Sequence, residues 1–309
     1  MGIKIAVIGV GHLGRHHARI LASLPGVELA GVVDRDSRRA SEIASLHGTI
    51  AYPDLGSLPS QTRAAVVAVP TEFHHPIAME CIDRGWDVLV EKPLAASVTQ
   101  AREMVEQAKR RERVLQAGHT ERYNPAVRQA LSRVTRPRFI EVHRLGTFAP
   151  RSLDVDVILD LMIHDLDIAL SLDSTGVESV AAVGVNVLTD KMDIANARLG
   201  FRSGCVANFT ASRISTDRVR KIRIFQTESY LSIDSAMQEL VHYRLERDGG
   251  AARIVQVPSA VEKEEPLRAE LMDFVQALSS RRVLVSGEDG LAALELAEKV
   301  GLAIRMGGS

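Results

Sequence analysis

The first strand of this chain runs directly into three glycines at fixed spacing, and no other feature restricts the fold as much. Ile3–Ile8 (IKIAVI) is short and apolar, and Gly9-Val10-Gly11-His12-Leu13-Gly14 follows it at once. Glycine at position 9 permits a tight turn, at 11 it lets backbone approach a pyrophosphate, and at 14 it lets the next helix pack close to the sheet. The helix start then offers amide donors to phosphates, so His12 and Leu13 join the glycines as cofactor-binding candidates. Asp34 follows Gly14 by twenty residues, at the end of the next apolar run, LAGVVD. A carboxylate there accepts hydrogen bonds from an adenosine ribose and repels a 2′-phosphate, which favours NAD over NADP. Arg35, Arg38 and Arg39 keep NADP use open.

The pattern continues for about 120 residues as buried strands alternating with amphipathic helices. Ile3–Ile8, Glu28–Val33, Ala64–Val69, Asp87–Val90 and Val114–Ala117 read as strands, with helices expected over His12–Ser23, Ser37–Leu46, His75–Arg84 and Thr99–Arg111. Continuously apolar strands joined by helices imply a doubly wound parallel sheet, an α/β Rossmann domain over residues 1–120. After His119 the rhythm changes. A helix at Asn124–Val134 and a strand at Phe139–Leu145 precede an apolar helix at Val155–Leu172, and a run of strands without intervening helices extends from Val177 to Val257. Hairpin turns are expected at Ser203-Gly204 and Asp248-Gly249-Gly250. Helices return at Pro266–Ser280 and Asp289–Arg305. Residues 121–309 therefore read as an α+β domain with an open, mostly antiparallel sheet for substrate binding and oligomerisation.

Composition excludes several functions. A net charge of −1 and 4% aromatic residues give no basis for nucleic-acid binding. Cys81 and Cys205 have no metal-ligand spacing, so no thiolate metal site is expected. No run is long and apolar enough to span a bilayer, and no signal peptide precedes the first strand, so a cytoplasmic protein is expected.

Two further patterns carry chemistry. Asp160 and His164 stand four residues apart in an otherwise apolar helix, on one face if that helix is regular. Buried polar groups need a partner or a task; a mutually satisfied pair is the structural reading, an acid/base pair the functional one. Glu91-Lys92-Pro93 and Val69-Pro70-Thr71, with His74 just beyond, both end strands at the carboxyl edge where open parallel sheets bind ligands.

Together, the glycine start, Glu91-Lys92-Pro93, Asp160…His164 and the closing Gly287-Glu288-Asp289-Gly290 resemble the Gfo/Idh/MocA family of NAD(P)-dependent sugar and cyclitol dehydrogenases. The resemblance covers almost the whole chain. It implies a Rossmann domain, an open-sheet second domain, oligomers formed through that sheet (a homodimer or homotetramer), and final helices that pack back on the first domain. It also implies that Lys92, Asp160 and His164 are catalytic and that Gly9, Gly11, Gly14, Asp34, Pro70, Thr71, His74 and Glu91 contact the cofactor; Arg35 beside Asp34 and Lys92 beside the expected nicotinamide pocket are further cofactor candidates. Glu121-Arg122-Tyr123-Asn124-Pro125 and residues 144–167 resemble the branch that oxidises the 3-hydroxyl of UDP-N-acetylglucosamine before lipid A precursors are aminated. The glycine-rich run common before the family's catalytic aspartate is replaced here by Asp154-Val155-Asp156-Val157. Arg122, Tyr123, Asn124, Arg144 and His164 are the substrate-contact candidates. The alternatives are another sugar or cyclitol dehydrogenase or reductase of the family, or a non-catalytic NAD-binding regulator, which need not keep the lysine, aspartate and histidine.

Overall fold

A computed structural model describes residues 2–148, 155–248 and 251–307. The chain forms two compact units, one of Met1–Thr120 with Glu265–Leu291, the other of Glu121–Glu264 with Ala292–Ser309. The expected second domain is thus interrupted, because Leu271, Phe274 and Ala277 of the later segment complete the apolar core of the first unit.

The first unit contains β1 (Ile3–Ile8), α1 (Gly14–Ser23), β2 (Val27–Val33), α2 (Ser37–His47), β3 (Ala51–Tyr52), β4 (Ala64–Val67), α3 (His74–Asp83), β5 (Asp87–Glu91), α4 (Val98–Arg110) and β6 (Leu115–Gly118). All six strands are parallel, in the order β3-β2-β1-β4-β5-β6. The order reverses between β1 and β4, which opens a crevice at the carboxyl ends of those strands. Ala64, Ala65, Val66 and Val67 are all fully buried, which is why these strands read as apolar runs rather than alternations. One face packs against α1 and α2; α3 and α4 pack on β4, β5 and β6. Side chains of Asp36 and Ser97 accept the backbone N–H of Arg39 and Gln100, capping α2 and α4 where the sequence leaves its turns.

The second unit is built on eight strands, β7 (Pro137–Leu145), β8 (Val177–Val185), β9 (Ile194–Phe201), β10 (Val206–Ser212), β11 (Val219–Gln226), β12 (Ser229–Asp234), β13 (Glu239–Asp248) and β14 (Ala251–Val257). Their order is β14-β13-β12-β11-β7-β10-β9-β8, and only β7 and β10 pair in parallel. Burial alternates along the central strands. Ile140, Val142 and Arg144 on β7 are buried while Phe139, Glu141 and His143 are half-buried, and Ile222 and Ile224 are buried on β11 while Lys221 and Phe225 are exposed. This two-faced pattern is the one an antiparallel sheet covered on a single side requires. The covered side faces α5 (Pro125–Leu131) and α6 (Ile163–Leu172). Of the expected hairpin turns, Gly204 takes the left-handed conformation with φ of 82°, and residues 249 and 250 lie outside the described residues. Strand β14 follows the expected turn at residues 248–250; Ala251–Val257 is largely exposed and carries little burial signal, so the sequence marks no bounds for it.

The Asp160/His164 helix is not one regular helix. Ile158–Met162 forms a π-turn, with the Ile163 N–H donating to the Ile158 carbonyl, and α6 begins only after it. Helices α7 (Pro266–Ser280) and α8 (Gly287–Gly307) close the chain. No helix among the described residues is long and apolar enough to cross a membrane.

Candidate active site

The glycine turn is held by close backbone contact. Gly9 has a φ of 83°, and a Cβ there would lie 2.7 Å from the Ala68 carbonyl oxygen. A Cβ on Gly14 would lie 1.8 Å from the carbonyl oxygen of Gly9, so α1 can begin where it does only with glycine. Gly11 differs: a Cβ there would meet nothing within 4 Å. The space beside its backbone suits the approach of a pyrophosphate, and the three positions together fit a dinucleotide. Leu13 is exposed in the same turn, and the His12 ring lies 3.4 Å from the Arg15 guanidinium.

Asp34 is tied to that turn. Its carboxylate accepts the Val10 N–H at 2.8 Å and the Asp36 N–H at 2.9 Å, and Arg39 donates to it at 3.0 Å. Burial pushes the carboxyl up, but Arg39 and the two backbone donors outweigh it and hold it below the usual carboxylate range. Asp34 is therefore ionised just after β2, and Arg39 partly offsets its charge. Arg35 lies over the Phe73 ring, 6.0 Å from its centroid.

Pro70 and Thr71 lead the 3₁₀ turn Thr71–Phe73 after β4, and His74 opens α3. The two ring nitrogens of His74 lie 2.8 Å from the Pro93 carbonyl oxygen and 2.9 Å from that of Val69. Burial lowers its pKa against these bonds, so a neutral ring donates to one of the two carbonyls. His74 thus braces the turn after β4 against the turn after β5. Glu91 ends β5 and Lys92 follows, joined to Pro93 by a cis peptide. The buried Glu91 carboxylate lies 2.7 Å from His17 Nε2 and accepts the Lys92 N–H at 3.2 Å. Burial raises the Glu91 pKa, and His17 and Lys92 more than reverse it.

Glu270 of α7 brings a second carboxyl to the same buried spot, with ligand atoms of His17, Glu91 and Glu270 all within 4.8 Å. Burial, then the Glu91 charge, raises the Glu270 pKa well above its ordinary value, so a proton settles the charge of the cluster. The Thr120 hydroxyl donates to Glu270 at 3.1 Å. Sequence reasoning missed His17 and Glu270. The available signal was a histidine on the buried face of α1, among Ala18, Ile20 and Leu21.

In the second unit Asp160 lies in the π-turn and His164 in the first turn of α6. Of the residues expected to contact the substrate, Arg122, Tyr123, Asn124 and Arg144 are buried and His164 is half-buried. Arg122 pairs with Asp167 at 3.2 Å, Tyr123 is 1% exposed, and Asn124 caps α5 while donating to the Ser235 carbonyl at 2.8 Å. Arg144 is held at three points. Its Nε and one terminal nitrogen each donate to Asp165 at 2.7 Å, and the other terminal nitrogen donates to Glu121 at 2.9 Å. These partners fix the strand–helix packing beside His164 and leave Arg144 little to offer a ligand.

Comparison with known proteins fits this arrangement. The family model described as an oxidoreductase family with an NAD-binding Rossmann fold matches residues 3–119, and the GFO/IDH/MocA C-terminal domain matches residues 126–232. A UDP-N-acetylglucosamine 3-dehydrogenase from Acidithiobacillus ferrooxidans is 37% identical, over 98% of this chain and 97% of that protein. A crystal form of that enzyme superposes with a TM-score of 0.92, covering 99% of each chain. A myo-inositol 2-dehydrogenase from Thermotoga maritima is 27% identical over 95% of this chain and 94% of its own. The levoglucosan dehydrogenase complex with NADH shares the fold, with a TM-score of 0.89 at 18% identity over 99% of this chain and 98% of that one. Matched over nearly its full length by such relatives, and with a glycine turn suited to a dinucleotide, the chain belongs to the Gfo/Idh/MocA family of NAD-binding oxidoreductases.

Proposed function

We propose that the protein is an NAD-dependent dehydrogenase oxidising the 3-hydroxyl of UDP-N-acetylglucosamine. The observation that carries the reading is the 37% identity, over 98% of the chain, with an enzyme of that name. Gly9, Gly11, Gly14, Asp34, Pro70, Thr71, His74 and Glu91 would hold the cofactor. NAD supplies the hydride acceptor. His164 takes the hydroxyl proton, a task suited to an imidazole whose ordinary pKa lies near neutrality. Asp160 orients that ring and stabilises the imidazolium, and the Lys92 ammonium hydrogen-bonds the reacting oxygen as negative charge develops on it. The reading places the protein in the cytoplasm, as a homodimer or homotetramer, on a route that modifies lipid A precursors.

Absorbance of the reduced nicotinamide tests the proposal directly. Wild type oxidises UDP-N-acetylglucosamine with NAD, and His164→Ala loses about 10²–10⁴-fold in turnover while keeping NAD affinity. Lys92→Met is also slow. Wild-type turnover by His164→Ala would remove the base assignment. Oxidation of inositol or a free sugar in place of the nucleotide sugar would favour the second reading, which rests on the inositol dehydrogenase similarity.

A further inference from the structure

The substrate-side guanidinium that the structure leaves available is not Arg144 but its cross-strand neighbour. Arg220 on β11 pairs in register with Arg144 on β7, so both project from the sheet face that packs on α6. Four charged groups then form one chain of contacts: Asp165 with Arg144, Arg144 with Glu121, and Glu121 with Arg220 at 3.0 Å. Asp165 is the residue directly after His164, so this chain begins on the helix that bears the proposed base.

The two ends of the chain differ sharply. The Arg144 side chain is 4% exposed and uses three nitrogens on carboxylates. The Arg220 side chain is 32% exposed and donates through one nitrogen, to Glu121. Burial and repulsion from Arg144 lower its pKa against the pull of Glu121, and Arg218 adds a further positive charge nearby. Glu121 itself is shared between two guanidiniums, so it neutralises neither completely. A planar guanidinium with unused donors, oriented by a carboxylate and crowded by other cations, matches the geometry and charge of a phosphate.

We propose that Arg220, oriented by Glu121, binds the diphosphate of the nucleotide-sugar substrate and so sets the preference for a nucleotide sugar over a free sugar. The proposal rests on the function proposed above. The site takes the pyrophosphoryl group of a nucleoside diphosphate, and the Arg144–Asp165 pair ties β7, the strand beside Arg220, to α6.

Calorimetric titration of the NAD-saturated protein with UDP and with uridine separates this role from a structural one. Wild type binds UDP at least about 10-fold more tightly than uridine, and Arg220→Ala loses about 10–100-fold in UDP affinity, the usual worth of a charge-assisted bond. Uridine and NAD affinities stay at their wild-type values, which also shows that the variant is folded. If the alanine variant does not fold, Arg220→Gln keeps a donor to Glu121 and removes the fork, and it shows the same selective loss. Equal UDP affinity in wild type and variant would overturn the inference, as would a uniform loss for UDP and uridine. If wild type oxidised UDP-N-acetylglucosamine yet bound UDP no better than uridine, the inference would fall alone. No turnover of the nucleotide sugar and no UDP binding would remove both it and the proposed function.

Discussion

Arg144→Met isolates the energetic role of the ion-pair chain beside His164. Arg144 and Asp165 have side chains 4% and 2% exposed, joined by two hydrogen bonds of 2.7 Å. Methionine fills much of the arginine stem but leaves Asp165 buried without its cation, and leaves Glu121 with Arg220 as its remaining guanidinium. Removing one partner of a buried pair costs about 3–5 kcal/mol. For a unit of this size that lowers its midpoint by about 6–20 °C. Burial already raises the Asp165 pKa, against the opposing pull of Arg144. Without the arginine it rises further, so the folded variant holds this proton more tightly than its unfolded chain does. Its deficit relative to wild type is therefore largest at neutral pH and shrinks as pH falls toward the ordinary aspartate range. Adding Asp165→Leu removes the stranded carboxylate and leaves Glu121 paired with Arg220, so the double variant recovers most of the loss. Urea unfolding of wild type, Arg144→Met, Asp165→Leu and the double variant at pH 8 and pH 5 gives the full cycle. A deficit below about 1 kcal/mol in Arg144→Met, or a double variant no more stable than the single, would refute the reasoning.

Glu270→Gln tests the buried proton beside Glu91. A carboxyl whose folded pKa is raised stabilises the fold below its ordinary value of 4.5 and loses that contribution as pH rises through the raised one. The amide cannot ionise, so the variant's melting temperature gains on wild type as pH increases, and parallel melting curves across pH 5–9 would exclude a neutral Glu270. Asp34→Ala weakens NAD binding by about 10–100-fold and narrows the gap to NADP, because it removes the ribose acceptor and releases Arg39 from its 3.0 Å pair; fluorescence titration of both cofactors measures this, and an unchanged ratio would count against the assignment. Light scattering at micromolar concentration returns a dimer or tetramer, since Val183, Val185, Phe225 and Ile254 expose apolar surface on the second unit; a monomer would contradict it.

The features legible in the sequence were those whose cause is local. Gly9, Gly11, Gly14 and Asp34 lie within one strand–helix–strand stretch, and the demand on Gly14 comes from the Gly9 carbonyl inside it, although the crowding at Gly9 comes from Ala68 after β4. The ladder Ala64–Val67 was legible because both its faces are buried. What escaped depended on partners far apart in sequence. His17, Glu91 and Glu270 meet only through three different elements, and no spacing rule joins them. Arg144 reads as a ligand-binding arginine until Asp165 and Glu121 are seen around it, and Arg220 reads as one of several basic residues on a strand until its register with Arg144 is known. The π-turn escaped because Ile158–Met162 is as apolar as the helix it interrupts, so periodicity has nothing to report there.

That π-turn gives the helix a phase as well as a sequence. It accommodates one residue more than an α-helical turn, so the stretch before Met162 is rotated relative to α6 from where an unbroken helix would place it. Deleting Leu161 would let the run close as ordinary α-helix, retain both Asp160 and His164, and shorten the chain by a single apolar residue. In an α-helix the two would then stand three residues apart, about 300° around the axis and about 4.5 Å along it, instead of in the relation that the π-turn sets. A one-residue deletion that removes no functional group would thus alter the bearing between two of them. Among chains sharing the same Asp…His letters, the count between them, and not only their presence, determines whether the two groups stand in the same relation.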